Sequence, residues 1–220
     1  MKFNFSLLLI FVASIGAADT SVDTSSTLAS PPYSKFNYID LTRSLAALCK
    51  TDKIKGSTDA NEISCVASEL KQLGYTNSKV TMIRKKSNLD ITGLPVQSRS
   101  PKVSDIRHYL GEGYTVIMTV GWYNFNTQTH TWERNGGHAF SVVGYSFNQS
   151  WQENQIVLSV INPNLSFRTD GKALLGDTIT MISTNAKPDA DHPEVSQYTL
   201  IGNGFLSTNF VEEIISYLPE

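Results

Sequence analysis

From residue 40 to residue 74 the apolar side chains recur at helical spacing. From Tyr114 onward they come in β-branched and aromatic runs separated by turns. A chain ordered this way segregates helices from strands, which predicts an α+β domain rather than an alternating parallel one. Asp40 is a good N-cap for a first helix, with Leu41, Leu45 and Leu48 on one stripe. A second helix starts at Asp59, with Glu62 completing a capping box. Ile63, Val66, Leu70 and Leu73 form its apolar face, and Gly74 ends it. The segment 79–83 reads as a short strand and 103–110 as a short helix closed by Gly111. Tyr114–Tyr123, His138–Phe147 and Gln155–Ile161 read as strands, with weaker ones at Thr178–Ser183 and Tyr198–Ile201. The turns between the later strands carry Asn, Gly, Gln and Pro, which suits antiparallel hairpins.

In front of this domain, Met1–Ala18 has the form of a secretory leader. Lys2 is followed by the apolar run Phe3–Ile15, and Gly16, Ala17 and Ala18 offer a cleavage site. The run falls short of the about 20 residues a membrane span needs, and no later segment is as apolar. Residues 19–34 are rich in Ser, Thr, Asp and Pro and have no face to bury, so they read as a disordered linker. Residues 35–220 are long enough for one domain with a sizeable core. The expected location is therefore periplasmic or extracellular. The formal net charge is −2, and loss of Lys2 with the leader makes it one unit more negative. Without a basic stripe or a basic amphipathic helix, neither nucleic acid nor a membrane surface is an expected partner.

There are two cysteines, Cys49 and Cys65. In an exported chain two thiols make a disulfide pair. On a helical wheel Cys65 lies nearly opposite the apolar stripe of its helix and Cys49 at the edge of its own. A bond between exposed flanks of adjacent helices fits both, and closing that loop would contribute about 3 kcal/mol.

The stretch Gly136-Gly137-His138-Ala139-Phe140-Ser141-Val142-Val143-Gly144-Tyr145 is followed by Val160-Ile161-Asn162-Pro163. These two linked motifs resemble the papain-like cysteine peptidases, in particular the bacteriocin-processing-peptidase-like branch. The resemblance covers about Tyr114 to Asn164 and implies a papain-like fold, with the N-terminal helices packed on a mainly antiparallel sheet. It also implies that His138 is a general base and Asn162 the group that orients it. That chemistry needs an imidazole on a rigid element with its tautomer set by a neighbour. Gly136 and Gly137 allow close backbone approach beside His138.

The family places its nucleophile at the start of the first helix, as Cys-x-Pro-Thr-Ser, where the helix dipole and the histidine stabilise a thiolate. Here that start reads Asp40-Leu41-Thr42-Arg43-Ser44. Ser44 matches, but Asp40 stands at the cysteine position and no Gln precedes it. Cys49 and Cys65 remain the two candidate nucleophiles, and neither sits at a helix start. Two readings follow. In one, the domain has lost catalysis and binds a peptide or protein ligand; in the other, it is an active cysteine peptidase using a Cys-His-Asn arrangement.

A third reading, a metal-binding exported protein, would rest on His130, Glu133 and His138, or on Asp189, Asp191 and His192. Neither set has zinc-site spacing, so both read as solvated hairpin and loop residues, and no metal or cofactor is assigned. Trp122, Trp132 and Trp151 surround the His138 hairpin and read as core.

Overall fold

The computed structural model describes residues 59–85, 93–161, 177–184, 196–202, 205 and 208–220. The leader, the linker, and the first helix with Asp40 and Cys49 lie outside them. In chain order the elements are α1 (Asp59–Gln72), β1 (Lys79–Arg84), β2 (Val96–Ser98), α2 (Val103–Gly111), β3 (Thr115–Asn126), β4 (Thr131–Ser146), β5 (Gln155–Ile161), β6 (Asp177–Ser183), β7 (Tyr198–Gly202) and β8 (Asn209–Leu218).

Both helices follow from their sequences. Ile63, Val66 and Leu70 are buried along α1, and Gly74, at φ 95°, ends it while the Tyr75 N–H donates to the Leu70 carbonyl. In α2, Val103, Ile106 and Tyr109 are buried at helical spacing. Asp105 accepts from the Lys102 N–H at 2.8 Å and from both terminal nitrogens of Arg99 at 2.6 Å. The N–H of Ser104 in the first turn donates to the Glu153 carboxylate at 3.0 Å, and the Tyr198 hydroxyl donates to the Glu153 carbonyl at 2.8 Å. These bonds tie the start of α2 to the segment before β5 and to β7.

All eight strands form one sheet, in the order β2-β1-β8-β3-β4-β5-β6-β7. β1 and β2 are parallel and every other pairing is antiparallel. The sheet coils until β7 returns to β8. There the Ser196 N–H donates to the Val211 carbonyl at 2.9 Å. The Asn209 side chain accepts from the Leu200 N–H at 2.9 Å and donates to the Leu200 carbonyl at 3.0 Å, imitating a strand partner.

This architecture corrects the expected papain-like α+β fold with N-terminal helices packed on a mainly antiparallel sheet. Among the described residues strand accounts for 53% and helix for 20%, in a single mixed sheet with two α-helices. The cause is β8, which the expectation lacked: the last described strand enters the middle of the sheet, between β1 and β3. All its residues but Leu218 are buried. A strand covered on both faces should be an apolar run, and Glu212-Glu213 interrupts that run in NFVEEIISYL. The β3–β4 hairpin is also longer than the periodicity suggested.

Candidate functional site

His138 lies in β4 opposite Val120 of β3 and is 4% exposed. The Trp122 indole stacks on its imidazole at 6.0 Å between centroids, with the planes 12° apart. Phe140 lies at 6.1 Å and Phe205 at 6.4 Å, and these two phenyl rings meet edge-on. The glycines beside His138 do allow close approach, but of protein side chains. A Cβ on Gly136 would come within 3.1 Å of the Trp122 ring. Gly136 thus leaves the indole room to lie over the strand and cover the imidazole. A general base must reach the proton it takes; this one is enclosed by aromatic rings.

Of its expected catalytic partners, Asn162, Cys49 and Asp40 lie outside the described residues. Cys65 is in α1, 5% exposed and packed in the main core, and it is not a free thiol. Its burial corrects the expectation of an exposed flank. Ile63, Cys65, Val66, Glu69 and Leu70 are all buried, so α1 is covered over a wider arc than one stripe. The structure does not gather the histidines into a metal site. His130 is exposed, with its ring against Phe125; Glu133 accepts from the Asn126 amide at 2.8 Å; and His138 is under Trp122. Asp189, Asp191 and His192 lie outside the described residues. The three tryptophans are half-buried rather than core.

A polar cluster that the sequence reading missed lies on the other face of the same strands. A bulge between Thr119 and Val120 lets β8 point two consecutive residues, Glu212 and Glu213, to one side of the sheet. Glu212, 5% exposed, accepts from the Tyr123 hydroxyl at 2.5 Å and from Arg134 through Nε at 2.7 Å and a terminal nitrogen at 3.0 Å. Glu213 accepts from Arg84 at 3.1 Å and from the Thr119 hydroxyl at 3.3 Å.

Gly121 and Gly137, paired across β3 and β4, make the room. A Cβ on Gly121 would strike the Glu212 carboxylate and the Tyr123 ring, and one on Gly137 would strike the Arg134 guanidinium. Burial pulls the Arg134 pKa down, but the hydrogen bonds and charge of Glu212 outweigh it and hold the guanidinium above its ordinary value. The guanidinium and the carboxylate form an ion pair that fixes the β3–β4 hairpin to β8. The available signals were two glycines inside strand sequences and two acids inside an apolar run.

Outside this polar cluster, Tyr123 and Phe210 form an aromatic cluster separate from the main core, with Trp132 packed on it. It continues to the hairpin end through Phe125, 47% exposed and 5.3 Å from Trp132. No described helix is long and apolar enough to cross a membrane. No family model, curated protein or solved structure matches the chain.

Proposed function

We propose that the protein is an exported, non-hydrolytic binding module for a peptide or protein ligand. The observation that supports this reading is the state of Cys65, a buried core residue that is not a free thiol. The sequence offers one other cysteine, Cys49, and a Cys49–Cys65 disulfide is part of the proposal. The enclosure of His138 by Trp122, Phe140 and Phe205 also argues against proton transfer to a substrate. Kinship with the cysteine peptidases belongs to the same proposal and rests on the Gly136–Tyr145 and Asn162-Pro163 motifs, not on the fold. Export rests on the leader sequence, and N-terminal sequencing of secreted material should begin just after Ala18.

The test is thiol alkylation of the mature, non-reduced protein, read by intact mass before and after reduction. No alkylation until reductant is added is the expected result. Rapid alkylation of one thiol near neutral pH, slowed in His138→Ala, would instead establish an activated nucleophile and an active cysteine hydrolase.

A further inference from the structure

We infer that the surface where α2 meets the end of β4 is the ligand site of this module, and that Arg107 there receives the C-terminal carboxylate of a peptide whose last residue is apolar. The inference rests on the peptide-binding reading above and adds the location and the chemical group recognised. Four arginines lie among the described residues. Arg84, Arg99 and Arg134 each pair with a carboxylate, of Glu213, Asp105 and Glu212 in turn. Arg107 does not. Its guanidinium lies over the Phe147 ring, 3.8 Å from the centroid, and its Nε is buried with no hydrogen-bond partner. Its two terminal nitrogens are not buried, and among the described residues they make no hydrogen bond or ion pair. A guanidinium stacked on a ring keeps the N–H groups in its own plane free for a ligand.

The acids at hand are committed elsewhere. Glu153 reaches the same helix but accepts from the Ser104 N–H at 3.0 Å, and Asp105, in α2 itself, accepts from Arg99 at 2.6 Å. One turn to either side of Arg107, where a helix sets its ion pairs, stand Val103, Ser104, Leu110 and Gly111. The site is thus a half-buried cation with no counter-charge, the complement of a carboxylate, which a guanidinium holds through two parallel N–H bonds. The surroundings indicate what carries the carboxylate. Phe147 stands edge-on to Trp151, at 6.5 Å and 88°. Tyr145, two residues before Phe147 and so on the same side of the strand, is opposite Leu158 of β5 and 40% exposed. Its hydroxyl makes no hydrogen bond among the described residues. Three rings beside one unneutralised guanidinium suit an anion with an apolar group attached to it. The last residue of a peptide joins a carboxylate and a side chain in that way, whereas a free phosphate would leave the rings unfilled.

The experiment is a fluorescence-anisotropy titration of the mature protein with fluorescein-labelled Gly/Ser peptides that end in Leu, Val or Phe. Each is made with a free C-terminal carboxylate and as the C-terminal amide. We expect at least one of the acids to bind saturably, with its amide weaker by about tenfold or more. In Arg107→Gln the acid and the amide should bind equally weakly, a loss of discrimination that a packing role for Arg107 would not produce. Arg107→Lys, which keeps the charge without the planar fork, should fall between the two. Should Arg107→Gln fail to fold, the comparison of acid with amide on the wild type still decides. No binding by any acid, equal binding of acid and amide by the wild type, or an acid preference that survives in Arg107→Gln overturns the inference. So does displacement of the bound acid by inorganic phosphate at equal concentration, which would make Arg107 a general oxyanion site. The thiol result under Proposed function is read independently, so a failed titration with bonded cysteines removes this ligand assignment and leaves the non-hydrolytic reading standing.

Discussion

Replacing Gly121 by alanine should destabilise the protein by about 3 kcal/mol, although it adds one methyl group to a strand. The added Cβ would strike Oε1 of Glu212 and lie 2.6 Å from Cε2 of Tyr123 and 2.8 Å from Cδ of Glu212. Ordinary carbon contacts are about 3.5–4.0 Å, so the carboxylate must withdraw by about 1 Å. It is not a free end: Tyr123 holds it at 2.5 Å and Arg134 at 2.7 and 3.0 Å. Overpacking alone costs about 1–3 kcal/mol, and losing a buried pair's partner costs about 3–5 kcal/mol. Alanine strains the pair without deleting it, which places the cost between these ranges. At about 2–4 °C per kcal/mol for a domain of this size, the melting temperature should fall by roughly 6–12 °C.

The assay is thermal and urea unfolding of wild type, Gly121→Ala, Glu212→Ala and the double variant. Because Glu212→Ala empties the space, the second substitution should add little, giving a coupling of about 2 kcal/mol or more. A Gly121→Ala protein that melts with wild type, or costs that simply add, would refute the claim that Gly121 exists to house Glu212.

Two further perturbations probe other parts of the fold. Burial raises the pKa of Glu69 in α1, so folding favours its protonated form. Its contribution is fully present below the ordinary glutamate value and is lost as the pH rises through the raised one. Wild type should therefore lose stability relative to Glu69→Gln as the pH rises above the ordinary glutamate range near about 4; parallel pH profiles in urea would remove this assignment. Asn209→Ala leaves the Leu200 N–H and carbonyl without their partner, at a cost of about 2–4 kcal/mol for two buried backbone groups. The lost protection should appear at Leu200 in amide exchange, and unchanged exchange there would show that the β7–β8 seam holds without Asn209.

The sequence by itself determined the local elements. The stripe of Ile63, Val66 and Leu70 marks α1, and Gln155–Ile161 was legible residue for residue, because helical and strand periodicities act over a few neighbours. His138 was legible as a strand residue, although it lies within β4 (Thr131–Ser146) and not at the start of a strand, and the glycines beside it marked close packing. Partners distant in the chain were not legible. β8 pairs with β1 and β3, more than 90 residues away in the pairing of Glu213 with Thr119, and its two acids hide a buried strand from any pattern-based reading. Those acids are tolerable inside only because Arg134, Tyr123, Arg84 and Thr119 meet them there. Tertiary structure likewise decided that Cys65 is buried, that Trp122 covers His138, and that β7 closes on β8. Burial and pairing are properties of what packs against a residue, and a one-dimensional pattern specifies which face is apolar without specifying what will cover it.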